Sequence, residues 1–188
     1  MIFIMNKHAN PQGKGLVPVL ASLADSRAVV SVAPKHINQI SSELFTSLFV
    51  LHSHFQFKPV IGKSYWLYQR QDKFQLSLIS QDEWGSNFGL FVGECVLQTD
   101  VTWTLTLDIA AANNKNLMRL IEQRRKKYEQ ALTLADSVEE VLPFYLEGLP
   151  FYQRVFASAL ANSLKGSMIK SGIQGLSYFQ AQKALSAG

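Results

Sequence analysis

Three carboxylates lie close to aromatic residues in the middle of the chain. Asp82 and Glu83 directly precede Trp84, and Glu94 follows further along. A carboxyl group beside an aromatic ring can serve as a general acid or bind a cation. No base or nucleophile accompanies them, so Asp82, Glu83 and Glu94 are weak catalytic candidates. The preferred interpretation is structural: Ser80 and Glu83 have capping-box spacing, which predicts one helical turn with Trp84 packed at a sheet edge.

Three short motifs have counterparts in enzymes or ligand-binding proteins. The GKS at 62–64 matches the end of a phosphate-binding loop, but Phe57 occupies the position of the leading glycine and a strand pattern follows. The Ser167-x-x-Lys170 spacing lacks the companion motifs of penicillin-recognising enzymes. The HSH triplet at 52–54 places its histidines about 200° apart on a helix, with no third ligand at metal-binding spacing. We therefore expect no metal and no cofactor.

Basic residues are concentrated in the second half of the chain. Residues 115–127 contain six lysines and arginines against one acid, and no acidic residue follows Glu147. Such a region can attract phosphate, lipid or an acidic protein surface. The predicted contacts are Arg124, Arg125 and Lys127, although consecutive helical positions point in different directions and weaken the idea of a single stripe.

Composition indicates a globular protein. Of 188 residues, 47% are hydrophobic, the net charge is +4, and the single Cys95 cannot form an intramolecular disulfide. The apolar start of the chain is too short for a signal peptide, and no apolar run has the length of a membrane span. These features predict a reduced, cytoplasmic setting. Since Cys95 alternates with other apolar strand residues, we expect it in the core.

The chain is expected to form one domain, 1–188, that begins with a loop-rich segment and a helix. Residues 1–35 contain several glycines and prolines, with one short strand near 28–32. Apolar residues spaced by three and four then predict a helix over 36–56 with one buried stripe. The stripe is Ile37, Ile40, Leu44, Leu48, Leu51 and Phe55, widened by Phe45 and Phe49.

A sheet and a helical half are expected to follow. Apolar and polar residues alternate with a period of two between 60 and 107, as half-buried antiparallel strands require. The four predicted strands are 63–70, 74–78, 90–98 and 101–107. Short turns predict hairpins between neighbours, and residues 113–186 have helical patterns. The fold class is therefore α+β: a four-stranded antiparallel meander with one long helix before it and about three helices after it.

The sheet region also resembles a known family. The segments that carry the resemblance are GKSYWLYQR at 62–70, LSLIS at 76–80, DEWG at 82–85, FVGE at 91–94 and DVTWT at 100–104. They resemble a family of bacteria and animals described as a domain of unknown function. The resemblance covers roughly residues 60–107 and implies no activity, so no residue role is transferred from it.

Several functions are compatible with these features. The leading hypothesis is a non-enzymatic interaction module that binds an acidic protein surface through Arg124, Arg125 and Lys127, with Trp66, Tyr68 and Trp84 lining any groove. Bulky residues on both faces of the first strand also suggest burial on both sides, and a homo-oligomer interface is one way to achieve it. The alternative is a small enzyme that uses Asp82, Glu83 or Glu94. Weak, sequence-independent nucleic-acid binding is a third hypothesis, and both nucleic acid and a membrane surface are disfavoured as partners.

Overall fold

The structure, a computed structural model, describes residues 32–85 and 88–186. The predicted loop-rich segment and its short strand near 28–32 therefore lie almost entirely outside the described residues. Within the described chain, a four-stranded antiparallel sheet is combined with six helices, one long helix before the sheet and several after it. The expected α+β class is confirmed.

The first helix, α1 (Ile37–Leu51), has the predicted buried stripe but ends earlier than the periodicity suggests. Ile37, Ile40 and Leu44 are fully buried on it. After Leu51 the chain leaves the helix because His54 pairs with the edge of the sheet, where its backbone N–H donates to Phe74 O at 2.8 Å. The predicted boundary at residue 56 is wrong, because backbone pairing with a distant strand ends the helix while the apolar spacing continues.

The sheet consists of β1 (Ser64–Arg70), β2 (Lys73–Ser77), β3 (Leu90–Leu97) and β4 (Trp103–Leu107). All neighbours are antiparallel, but the order is β2-β1-β3-β4. The predicted β1–β2 and β3–β4 hairpins are confirmed. The predicted meander order is wrong, because β3 pairs with β1, whereas in a meander it would pair with β2. The order places the aromatic strand β1 in the interior and leaves β2, which begins with Lys73, at the edge, where a charged residue is tolerated.

The two faces of the sheet differ in what covers them. The inner face packs on the helices and carries the core residues Tyr65, Leu67, Phe74, Leu76, Cys95, Leu97 and Trp103. The outer face carries Trp66, Tyr68 and Glu94. It is partly covered by the link between β2 and β3, which contains the one-turn helix α2 (Gln81–Trp84). Cys95 is buried on the inner face, as its alternation predicts.

The remaining helices follow the sheet. They are α3 (Ile109–Ala112), α4 (Lys115–Leu134), α5 (Phe151–Lys170) and α6 (Tyr178–Ser186), with a 3₁₀ turn over Val138–Val141. Tyr128 of α4 donates a hydrogen bond to Ser41 O of α1 at 3.0 Å and fixes the two helices against each other. None of the helices in the described ranges is long and apolar enough to cross a membrane.

A partly buried ion cluster joins the start of α1 to the turn between β3 and β4. The ammonium group of Lys35, only 8% exposed, contacts the carboxylates of Glu43 and Asp100. Asp100 also accepts hydrogen bonds from the backbone N–H and hydroxyl of Thr102, and its own carbonyl accepts one from Ser163 of α5. The cluster therefore connects three elements that are distant in sequence.

Candidate binding site

The three acidic candidates lie on the outer side of the sheet. Asp82 and Glu83 are exposed in the first turn of α2, and the Glu83 carboxylate accepts a hydrogen bond from the Ser80 hydroxyl at 3.0 Å. Glu94 is exposed on β3, directly opposite Trp66 of β1. The predicted helical turn is present, but the capping box is not formed, because the Ser80 side chain accepts no hydrogen bond from the helix backbone. The three carboxylates are all solvated, and none lines the cleft described below.

The aromatic residues of the link form a stack over the outer face. The Trp84 and Phe88 rings are parallel at 4.1 Å, and Phe88 meets Tyr68 edge to face at 4.9 Å. The indole of Trp84 donates to the Ser77 hydroxyl at 3.0 Å, and the Tyr68 hydroxyl donates to a backbone carbonyl at 3.1 Å. Tyr68 is only 1% exposed, so it supports this stack from below, while Trp84 remains accessible.

Two of the three predicted basic contacts lie against aromatic rings. The guanidinium group of Arg124 is 5.4 Å from the centre of the Phe49 ring and 4.9 Å from that of Phe74. The guanidinium group of Arg125 is 4.5 Å from the centre of the Phe45 ring. Burial of Arg124 lowers its pKa. Both side chains therefore close the seam between α1 and α4, which leaves only part of each guanidinium group accessible.

The structure does not bring the predicted residues together at one site. Phe74, which Arg124 contacts, lies on the inner face of the sheet, whereas Trp66 and Tyr68 lie on the outer face. Lys127, one turn beyond Arg124 on α4, is exposed. The predicted basic patch and the predicted aromatic groove are therefore on opposite sides of the sheet.

A cleft of about 780 Å³ lies at the end of the β1–β2 hairpin, between these two surfaces. Its size is in the range of small-molecule sites. The residues lining it are His54, Gln69, Arg70, Gln71, Lys73, Phe74, Gln75, Phe88, Gly89 and Leu90. The lining contains one histidine, two cations and no carboxylate, so the site favours an anionic ligand.

Sequence reasoning missed His54, Arg70 and Lys73 as site residues. A signal for two of them exists, because Arg70 and Lys73 flank a two-residue turn and such a turn places them opposite each other across a hairpin. His54 has no comparable signal, since its position depends on the isolated pairing with Gln75 of β2.

The two histidines of the HSH triplet have separate environments. Burial lowers the pKa of His52; a hydrogen bond to the Leu48 carbonyl opposes this change, and the charge of Arg124 adds to it. His54 is exposed and lines the cleft. No group of three or more His, Cys, Asp or Glu side chains suited to a metal ion occurs over residues 32–85 and 88–184.

Comparison with known proteins finds one family model that matches part of the chain. Residues 37–127 match the family described as "Protein of unknown function (DUF2452)". This match covers slightly less than half of the chain, and it confirms the resemblance inferred from the aromatic segments. The range of organisms and the individual motif spacings remain predictions. No curated protein and no solved structure matches the chain.

Proposed function

We propose that this protein is a non-enzymatic interaction module that binds an acidic surface of a partner protein. The observation that carries the proposal is the state of Arg124 and Arg125. Both are held against aromatic rings, and neither forms an ion pair with a carboxylate within the described chain. The proposed contact surface, called the α4 surface below, consists of Arg124, Arg125 and Lys127.

The energetics of Arg124 favour a partner that supplies carboxylates. Its guanidinium group is partly removed from water, and this desolvation is the cause of its lowered pKa. A partly buried charge without a counter-ion is costly, and hydrogen-bonded pairing with a carboxylate offsets that cost. Because the Arg124 guanidinium group already packs against the rings of Phe49 and Phe74, less side-chain entropy is lost when a carboxylate binds than for a free arginine.

The charge distribution on α4 favours protein over nucleic acid. Glu122 and Glu129 are exposed on the same helix as the basic residues. They would repel a continuous row of phosphates, whereas a protein surface with separate acidic groups can avoid them. The enzyme alternative receives no support from a specific contact, because Asp82, Glu83 and Glu94 are all exposed and away from the cleft.

The proposal is tested with a fluorescently labelled peptide rich in aspartate and glutamate, whose anisotropy reports binding. We expect Lys127→Glu to weaken binding about five- to tenfold at low salt, because the change removes an attraction and adds a repulsion. Lys183→Glu is the matched control: it makes the same charge change at another exposed lysine, on α6. Arg124→Met, which keeps an apolar stem against the rings, should weaken binding by a similar factor.

Two results of these binding measurements would contradict the proposal. If Lys127→Glu and Lys183→Glu weaken binding by the same factor, the peptide responds to net charge and not to the α4 surface. Absence of saturable binding at low salt, where exposed charges interact most strongly, also excludes the acidic-partner assignment.

A further inference from the structure

We propose that the cleft at the end of the β1–β2 hairpin binds a small organic phosphate monoester, a ligand separate from the acidic partner of the α4 surface. The phosphate group lies between Arg70 and Lys73, and the organic group lies along the apolar lining residues Phe88 and Leu90. This inference goes beyond the proposed function, because it concerns other residues and another class of ligand.

Two like charges face each other at the cleft. Arg70 and Lys73 are direct cross-strand partners, so their side chains lie on the same face of the hairpin. Neither forms an ion pair within the described chain, and Asp72 of the connecting turn does not line the cleft. Like charges placed opposite each other destabilise a hairpin. A dianion bound between them removes that repulsion.

Arg70 is already positioned by its neighbours. Its guanidinium carbon lies 5.3 Å from the centre of the Phe88 ring, and Phe88 is stacked on Trp84. Gly89 allows this segment to approach β1 closely, since a Cβ atom there would lie 2.6 Å from the carbonyl oxygen of Gln69. A guanidinium group held in one orientation can present two parallel N–H donors to a phosphate.

The rest of the lining includes further polar residues. Gln71, Gln75 and His54 add polar groups that can contact phosphate oxygens. His54 is fixed at the edge of β2 by two backbone hydrogen bonds, from its own N–H to Phe74 O and from Leu76 N–H to its carbonyl. A volume of about 780 Å³ exceeds that of a bare phosphate ion, so the cleft has room for an organic group beside the phosphate.

Charge favours phosphate over a carboxylate. A phosphate monoester carries about −1.5 to −2 charges at pH 7 and three acceptor oxygens. A carboxylate carries a single charge and two oxygens, which leaves one of the two facing cations without a counter-charge.

The test uses the full chain with phenyl phosphate, inorganic phosphate and benzoate as probes. Heats of binding give the affinities, and tryptophan fluorescence gives an independent signal, because one of the three tryptophans, Trp84, is stacked on the cleft residue Phe88. We expect saturable binding of phenyl phosphate, weaker binding of inorganic phosphate, which has no organic group, and weaker binding of benzoate. Lys73→Gln should reduce the affinity for phenyl phosphate about tenfold, and Arg70→Lys should reduce it less than Arg70→Gln.

Lys58→Gln is the matched control, since Lys58 is exposed and does not line the cleft. Lys127→Glu separates the two proposals. It should lower the affinity for the acidic peptide and leave the affinity for phenyl phosphate unchanged. The proposal is overturned if phenyl phosphate shows no saturable binding at concentrations up to about 10 mM, which is about ten times a dissociation constant of 1 mM. Equal effects of Lys73→Gln and Lys58→Gln, or equal affinities for benzoate and phenyl phosphate, overturn it as well.

Discussion

Replacing Lys35 with methionine removes the only cation of the cluster that links α1 to the β3–β4 turn. The substitution keeps most of the side-chain volume but leaves the carboxylates of Glu43 and Asp100 close together without a counter-charge. The backbone of Lys35 keeps its own contacts, because its N–H donates to the Ser171 hydroxyl at 2.8 Å and its carbonyl accepts from the same hydroxyl. The effect on stability therefore reports the ion cluster.

The expected loss follows from the exposure of the three groups. Breaking a fully buried ion pair costs about 3–5 kcal/mol, and breaking an exposed pair costs about 0–1 kcal/mol. Lys35 is 8% exposed, while Glu43 and Asp100 are 25% and 22% exposed. We therefore expect Lys35→Met to lower the free energy of unfolding by about 2 kcal/mol, between these limits. For a chain of this length the loss lowers the Tm by about 4–8 °C.

The loss should also depend on pH. Burial alone would raise the pKa of Asp100, but hydrogen bonds from Lys35 and Thr102 leave it lowered. Its contribution is therefore present above its unfolded pKa of ~3.9 and is lost as pH falls through the lower folded value. Burial lowers the pKa of Lys35, but Asp100 and Glu43 raise it overall. Its contribution is present below its unfolded pKa of ~10.4 and is lost as pH rises through the raised folded value.

Urea unfolding followed by tryptophan fluorescence measures the change. Lys58→Met, at an exposed lysine without an ion pair in the described chain, is the control. The triple variant Lys35→Met, Glu43→Gln, Asp100→Asn should be more stable than Lys35→Met alone, because it removes the uncompensated charges. A loss below about 0.5 kcal/mol at pH 7, the scale of ordinary surface substitutions, or a triple variant no more stable than the single one, would refute the reasoning.

One substitution and one labelling reaction test the packing of the sheet. Gly93→Ala should lower the free energy of unfolding by about 3 kcal/mol, because the new Cβ would lie 2.2 Å from the backbone oxygen of Thr106. Gly148→Ala is the control, since a Cβ atom at Gly148 would have no other atom within 4 Å. Equal stability of the two variants would contradict the expected clash at Gly93. Cys95 is fully buried, and burial, with the charge of Glu94, raises the pKa of its thiol. A disulfide reagent at pH 8 should therefore label Cys95 only as the protein unfolds; labelling of the native protein as fast as of the urea-unfolded chain would contradict this placement.

Local patterns in the sequence determined the types of the elements. The alternation around Phe74 and Leu76 predicted a strand with those residues inside, and the spacing of Ile37, Ile40 and Leu44 predicted the buried face of α1. Both predictions depend only on the direction of side chains along a single element, which the periods of 2 and 3.6 residues fix. The placement of Cys95 in the core follows from the same rule.

Other features depended on tertiary structure. The order β2-β1-β3-β4 arises because the link from β2 crosses the outer face of β1 and packs Trp84 and Phe88 over Tyr68. The periodicity of a strand contains no information about its neighbour, so a meander was an equally consistent arrangement. The burial of Tyr68 by its own chain follows from this crossing, and it removes the need for a second subunit at that position.

The candidate sites show the same division. Sequence identified the basic residues of α4, but only the structure shows that the rings of Phe45, Phe49 and Phe74 fix Arg124 and Arg125. The fold also places Lys35 beside Asp100, 65 positions away in the chain, and no local pattern indicates this pairing. The cleft likewise joins His54 to a hairpin that begins ten residues later. A chain pattern specifies which groups are present and which way each points, whereas long-range packing decides which groups meet.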